Sequence, residues 1–200
     1  MGEGKIKELE NYTMSLSEIK SAIPDYAKDL RLNLDSVLSE TGAAGLSSKQ
    51  IGMIALASAI ASRYEPLVAA IAGEAAKHAS AQELNGARTA AAVMAMNNVY
   101  YRFTHLVAEP EYQTLRAGLR MNAMANPGCD KLDFELCSLA VSAINGCGMC
   151  MDSHEKTLRK HGLSAQAVQS AARIAAVVHA SAVTLEQAAA AESAQATLAA

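Results

Sequence analysis

The 200-residue chain contains no tryptophan, only two phenylalanines and only four prolines. Aromatic residues make up 4% of the chain, although hydrophobic residues as a whole make up 51%. Strands are enriched in aromatic and β-branched residues, whereas alanine, which dominates many stretches here, is the best helix former. No segment shows the alternating pattern of a strand. The composition therefore predicts an all-α fold with a core large enough for one domain.

Neither a basic excess nor a long hydrophobic run is present. The 17 Lys and Arg residues are outnumbered by 20 Asp and Glu residues, whereas a nucleic-acid surface needs clustered positive charge. The longest apolar stretch, residues 51–61, is shorter than the roughly 20 residues of a membrane span. The polar N-terminus lacks the apolar segment of a secretory signal. We therefore expect a cytoplasmic protein with no nucleic-acid partner and no membrane segment.

Cysteine is also scarce, with four residues in the whole chain. Cys147 and Cys150 form a Cys-x-x-Cys motif, which in a reducing compartment is more often redox-active or metal-binding than structural. Cys129 and Cys137 have no acid–base neighbour at a useful spacing, so we interpret them as packing residues.

An internal repeat organises the chain. Residues 50–57 align with residues 135–142 at an offset of 85, and Lys77-His78 corresponds to Lys160-His161 at an offset of 83. The pattern predicts an internal duplication of a helix-hairpin unit, with two helices in each copy. We place repeat one at about 46–105 and repeat two at about 131–190. Both lie in a single domain of residues 14–190, between a polar extension (1–13) and a C-terminal tail (191–200).

The second repeat carries the residues able to do chemistry. Asn145-Gly146 is a turn signal that ends one helix and allows another to start. Cys147 would then lie in the first turn of the new helix and Cys150 one turn later, where exposed N–H groups stabilise a thiolate. His154 follows Cys150 by four residues and shares its helix face.

Glu135 lies twelve positions before Cys147, about 18 Å away if the helix were continuous. A sharp reversal at Asn145 would instead bring residues equally far from the turn together, which pairs Glu135 with His154. The carboxylate could then orient the imidazole and make it a better base. By the 85-residue offset, the first repeat has Gln50, Ser62, Glu65 and Ala69 at the positions of Glu135, Cys147, Cys150 and His154. That alignment predicts one working half and one supporting half.

The run from Glu135 to His154, with Cys147 and Cys150 at fixed spacing between them, resembles the active-site signature of the alkyl hydroperoxide reductase D family. This family lies within the carboxymuconolactone decarboxylase-like group. Residues 14–34 are similar to the N-terminus of the family, so the resemblance covers about residues 14–187. Met149 is one departure, because some relatives have a histidine between the cysteines.

The resemblance implies a homotrimeric, antioxidant thiol–disulfide oxidoreductase, a lipoyl-dependent peroxidase. Its dithiol would reduce an organic hydroperoxide or an alkyl hydroperoxide reductase C-type (AhpC-type) peroxiredoxin. It also implies that Cys150 is the attacking thiol that forms a sulfenic acid, and that Cys147 is its disulfide partner and a proton donor. His154 and Glu135 would form the proton relay. No cofactor is bound, since electrons would come from a lipoylated acyltransferase through the redox-active Cys147–Cys150 disulfide.

Two alternatives remain open from the residues. Cys147, Cys150 and His154 could bind zinc, with Glu135 or His161 as the fourth ligand, in a zinc-stabilised helical adaptor. A decarboxylase or isomerase of the wider group would use acid–base residues and leave the thiols unused.

Overall fold

A computed structural model describes residues 14–198, so the predicted extension at 1–13 lies outside the described residues. Within this range the chain forms ten α-helices and a 3₁₀ turn, with no strand, which confirms the all-α prediction. The helices are α1 (Leu16–Ala22), α2 (Asp29–Val37), α3 (Ser48–Ser62), α4 (Glu65–Ala75), α5 (Ala81–Leu106), α6 (Glu111–Thr114), α7 (Asn122–Ala125), α8 (Lys131–Ile144), α9 (Gly148–Lys160) and α10 (Ala165–Leu198).

Local sequence signals set several helix ends. Ser47 and Ser80 each form a capping box with the residue three positions later, which satisfies N–H groups that have no partner inside the helix. The Ser164 hydroxyl accepts a hydrogen bond from the Ala167 N–H at the start of α10. Gly162 follows α9 with a φ of 90°, a conformation that costs a glycine little.

The structure relates the two halves by a different number of helices and a different offset from those of the sequence alignment. Each contains three helices rather than the predicted two. They begin at residues 48, 65 and 81 in the first half and at 131, 148 and 165 in the second, separations of 83, 83 and 84. Arg63 and Gly146, 83 positions apart, both adopt left-handed φ angles, 67° and 68°. The chain reversals therefore fix an offset of 83 around the site.

The predicted 85-residue register is consequently wrong there. Alanine-rich helices match at several offsets, and only the left-handed residue at the reversal distinguishes them. At the correct offset the positions of Glu135, Cys147, Cys150 and His154 are occupied in the first half by Gly52, Tyr64, Leu67 and Ile71. Gln50 instead corresponds to Asp133, and its Nε2 donates to Asp133 Oδ1 at 2.9 Å where α3 and α8 meet.

The core lies between α3 and α8, with α10 packed across both and α5 against both. These central helices bury an almost continuous apolar surface, which includes Met53, Ile54, Leu56, Leu136, Ala140 and Val141. Such burial is the main stabilising term for a helical domain. The connector between the halves, residues 107–130, contains only the two short helices α6 and α7.

Helix α10 is the one described helix that is long and apolar enough to cross a membrane, judged by length and composition alone. The helix packs against α2, α3 and α8, and its buried residues lie between Ala167 and Leu185. A core helix gives the same signal as a membrane span, so this one helix is weak evidence for a membrane. The predicted tail boundary at residue 190 falls inside this helix, which continues to Leu198.

Candidate active site

A hydrogen-bonded reversal joins α8 to α9. Asn145 ends α8, Gly146 takes the left-handed conformation, and the Cys147 N–H donates to Ser142 O at 3.1 Å. The Asn145 side chain donates to Asn98 Oδ1 on α5 at 3.0 Å, and Arg102 donates to Asn145 O at 2.7 Å. The long helix α5 therefore holds the turn that positions the cysteines.

Cys147 is the N-cap residue of α9, one position earlier than the predicted first turn. Its Sγ accepts a hydrogen bond from the Cys150 N–H at 3.3 Å. The two cysteines form a disulfide with their Cα atoms 5.3 Å apart. Cys147 has no exposed surface, whereas 7% of Cys150 is exposed. The helix N-terminus is therefore placed to stabilise a thiolate on Cys147 after reduction, and Cys150 is the more exposed of the two residues.

The reversal brings Glu135 of α8 beside His154 of α9. His154 Nδ1 lies 2.6 Å from Glu135 Oε2, and both residues are buried. A carboxylate can only accept, so the ring donates its Nδ1–H when Glu135 is ionised. The neutral imidazole then has its lone pair on Nε2, and this atom lies 3.4 Å from Met94 Sδ. Because a thioether donates no hydrogen bond, Nε2 is left available as a base.

Cys150 and His154 line a cavity of about 130 Å³ beside α9. Helix α5 contributes Met94, Asn97 and Tyr101 to this cavity, and the connector contributes Met124. No sequence pattern marks the two methionines as site residues. The one sequence signal for Asn97 is that a polar residue stands on a mostly apolar face of α5.

The other two cysteines are packing residues. Cys137 is fully buried on α8, and burial raises the pKa of its thiol well above the usual value. Cys129 is half-buried and lies against Gly86 of α5. Burial, followed by the nearby carboxylates of Asp133 and Asp130, raises the pKa of the Cys129 thiol. Neither thiol is set up to ionise near neutral pH.

The proposed zinc ligands do not converge. Within residues 14–198, no group of three His, Cys, Asp or Glu side chains is arranged to hold a metal ion. His161 caps the far end of α9, where its exposed ring donates to Thr157 O at 2.8 Å. The zinc-adaptor alternative therefore has no ligand set in this part of the chain.

Fold and site together define an all-helical protein with a Cys-x-x-Cys disulfide at a helix N-terminus and a buried Glu–His pair beside it. The carboxymuconolactone decarboxylase family matches residues 110–193. An alkyl hydroperoxide reductase AhpD from Streptomyces coelicolor is 56% identical over 173 residues, which are 86% of this chain and 96% of that protein. An AhpD from a Bradyrhizobium species is 54% identical over 88% of this chain and 96% of its own. The chain belongs to the alkyl hydroperoxide reductase D family.

Proposed function

We propose that the chain is a cytoplasmic thiol-dependent peroxidase, an alkyl hydroperoxide reductase of the D type. Its Cys147–Cys150 dithiol would reduce organic hydroperoxides or the disulfide of an AhpC-type peroxiredoxin. The observation that carries this proposal is the shared cavity of Cys150 and His154, with Glu135 held against the imidazole at 2.6 Å. A reactive thiol needs a base within reach and a group that orients the base.

The oxidising half-reaction starts from the dithiol. His154 Nε2 accepts the Cys150 proton, and the thiolate attacks the outer oxygen of the hydroperoxide. The S–O bond forms as the O–O bond breaks, and the alkoxide leaves with the imidazolium proton as an alcohol. The Cys147 sulfur then attacks the Cys150 sulfenic acid, which forms the disulfide and releases water. The peroxide gains the two electrons that the dithiol loses.

In the reducing half-reaction, this geometry favours attack on the sulfur of Cys150 over that of Cys147. An incoming thiolate of a lipoylated acyltransferase reaches Cys150, because Cys147 is fully buried. Attack on Cys150 Sγ expels Cys147 as a thiolate, which the Cys150 N–H stabilises. The second lipoyl thiol then displaces Cys150 and leaves the lipoyl group as a disulfide. Catalysis needs no bound cofactor in this scheme.

A homotrimer is part of the proposal. The end of α5 and the connector expose a set of large apolar side chains, which includes Phe103, Leu106, Tyr112, Leu115 and Leu119. The rings of Phe103 and Tyr112 pack edge to face with their centroids 5.2 Å apart. Monomers rarely leave such a group of apolar residues in water, so this surface suits contact with further copies.

A decarboxylase or isomerase of the wider group would not use the thiols, so its activity should survive replacement of the cysteines. The test measures consumption of cumene hydroperoxide with dihydrolipoamide, and then with a lipoylated acyltransferase and its dehydrogenase. Cys147→Ser and Cys150→Ser should each abolish turnover, whereas Cys129→Ser should leave it unchanged. Substantial turnover in both site variants would eliminate the dithiol mechanism.

A further inference from the structure

Two adjacent asparagines on α5 differ in their hydrogen bonding. Both are buried, Asn97 with 2% and Asn98 with none of its surface exposed. Asn98 uses both ends of its amide: Nδ2 donates to Ser142 Oγ at 2.9 Å, and Oδ1 accepts from Asn145 at 3.0 Å. Asn98 thus fixes the reversal before Cys147. Asn97 Oδ1, by contrast, has no hydrogen-bond partner among the described residues.

The orientation of the Asn97 amide follows from its other contact. Asn97 Nδ2 lies 3.3 Å from Met124 Sδ. A thioether sulfur accepts hydrogen bonds but cannot donate them, so the NH₂ group belongs on this side and the carbonyl oxygen on the other. A buried acceptor without a partner has lost its hydrogen bonds to water and gained none in return. Such a cost in a native structure calls for an explanation, and a binding role is one.

Asn97 forms part of the wall of the cavity that holds Cys150 and His154. The remaining wall is rich in thioethers, with Met94, Met124 and Met149. Thioethers are poor acceptors, and the His154 lone pair is needed for the Cys150 proton. Tyr101 and Ser153 add hydroxyl groups to the wall; the Tyr101 hydroxyl donates to Met121 Sδ, and Ser153 is exposed. Asn97 Oδ1 is therefore the buried acceptor of this wall that neither the relay nor another described residue uses.

We propose that Asn97 Oδ1 accepts the O–H of the hydroperoxide and holds its outer oxygen in line with Cys150. The inference rests on the proposed function and assigns this residue the recognition of the substrate's polar end. The hydroperoxide meets the dithiol form, in which Cys150 is released from Cys147. As the thiolate attacks, the outer oxygen keeps its hydrogen and becomes the sulfenic acid hydroxyl, so the same hydrogen bond persists to the product. The alkoxide leaves with the proton of His154.

The test separates oxidation from reduction. In a Cys147→Ser background no disulfide can close, so cumene hydroperoxide drives Cys150 to the sulfenic acid, which dimedone traps for mass spectrometry. Asn97→Leu, similar in volume and without an acceptor, should lower the second-order rate of sulfenic acid formation about tenfold, as expected for one lost hydrogen bond. With both cysteines present, reduction of the disulfide by dihydrolipoamide should stay within about twofold, since this step forms no hydrogen bond to Asn97.

Two comparisons make the result specific. Asn97→Ala removes the same acceptor with less bulk, so the two variants should agree if the oxygen matters. Asn98→Leu removes the neighbouring amide that fixes the turn, and it should slow both half-reactions and lower the melting temperature. Equal oxidation rates in Cys147→Ser with and without Asn97→Leu, or equal losses in oxidation and reduction, would overturn the role of Asn97. A wild type that no hydroperoxide oxidises would overturn the proposed function as well.

Discussion

At the scale of single residues, the central feature of the site is the buried carboxylate of Glu135. Glu135 is buried on α8 with its Oε2 against the His154 ring. A buried charge is costly unless it is paired, so the contact with His154 stabilises the carboxylate and holds the imidazole in one orientation. The other ring nitrogen, Nε2, lies 3.4 Å from Met94 Sδ, and Met94 lines the same cavity as Cys150.

Glu135→Gln tests this pairing because it keeps the shape of the side chain and removes its charge. We expect a roughly ten- to thousandfold loss in hydroperoxide turnover, within and just below the range of general acid–base assistance. His154→Gln should cost a similar amount, and circular dichroism should show an unchanged helix content in both variants.

The double variant Glu135→Gln/His154→Gln should lose little more than either single variant, since members of one relay act together. Steady-state rates of the four proteins give this comparison directly. If the two losses multiplied, Glu135 and His154 would act independently, and the 2.6 Å contact would have no part in proton transfer.

The buried Cys137 thiol predicts a second result at this scale. Burial raises its pKa well above the usual value, so at pH 8 the reduced, folded protein should not be alkylated at Cys137. Iodoacetamide should label Cys150 first, and peptide mass spectrometry should find Cys137 modified only after unfolding in urea. Because the unfolded thiol ionises at lower pH than the folded one, this residue also makes the fold less stable as the pH rises above about 8.5. Rapid native labelling of Cys137 would contradict its burial.

At the scale of helices, the contact between α5 and the connector gives the clearest packing test. A Cβ at Gly86 would lie 2.3 Å from Cys129 Sγ and 2.7 Å from Cys129 Cβ. Gly86→Ala should therefore destabilise the protein by about 1–3 kcal/mol, despite the better helix propensity of alanine. Gly73 in α4 is the matched control, since nothing lies within 4 Å of its Cβ position. Gly73→Ala should stabilise by up to about 1 kcal/mol in urea unfolding.

Helix ends were predictable because their signals are local. Ser47 and Ser80 cap α3 and α5 through the residue three positions later, Gly162 takes the left-handed conformation after α9, and the reversal lies at Asn145-Gly146 as predicted. The reversal in turn made the juxtaposition of Glu135 and His154 a geometric consequence of the sequence. A hairpin of helices requires no knowledge of the remaining chain.

Features that depend on distant segments were not predictable. The cavity draws Asn97 from α5 and Met124 from the connector, and no local pattern connects them to α9. The predicted 85-residue offset was wrong because local sequence does not determine it either: alanine at many positions makes neighbouring offsets nearly equivalent. The left-handed Arg63 settles the register, but a positive φ at an arginine has no sequence signature.

The ion pair between α3 and α8 supplies a pH-dependent prediction. Lys49 Nζ lies 2.6 Å from the buried Asp133 carboxylate, and this contact, more than that with Glu83, raises the pKa of Lys49. A raised lysine pKa stabilises the fold fully below the unfolded value, about 10.4, and this contribution is lost as the pH rises through the folded value. Lys49→Met should lower the melting temperature at pH 8, and its difference from wild type should shrink toward pH 11. A constant difference between pH 8 and pH 11 would show that the charge of Lys49 contributes nothing.

At the scale of the whole molecule, each half contains three corresponding helices, but the helix after the chain reversal carries different side chains in the two halves. Where α9 presents Cys150 and His154 to a cavity, the corresponding α4 carries Leu67 and Ile71, both buried. Helix α1 packs against α4, and Ile19 in this helix and Ile23 immediately after it are completely buried. The first half therefore has apolar side chains at the positions where the second half has a thiol and an imidazole.

The assembly prediction follows from the apolar surface at the end of α5 and in the connector. Sedimentation at micromolar concentration should give a mass near three chains of 20.9 kDa. Leu106, 72% exposed, lies within this surface, whereas Leu32, 71% exposed, lies on α2 outside it. Leu106→Glu should dissociate the trimer because a charge in an apolar contact loses its water without gaining a partner. Leu32→Glu, equal in exposure and chemistry, should leave the mass unchanged. Loss of assembly in both variants, or in neither, would show that the contact between copies lies elsewhere on the chain.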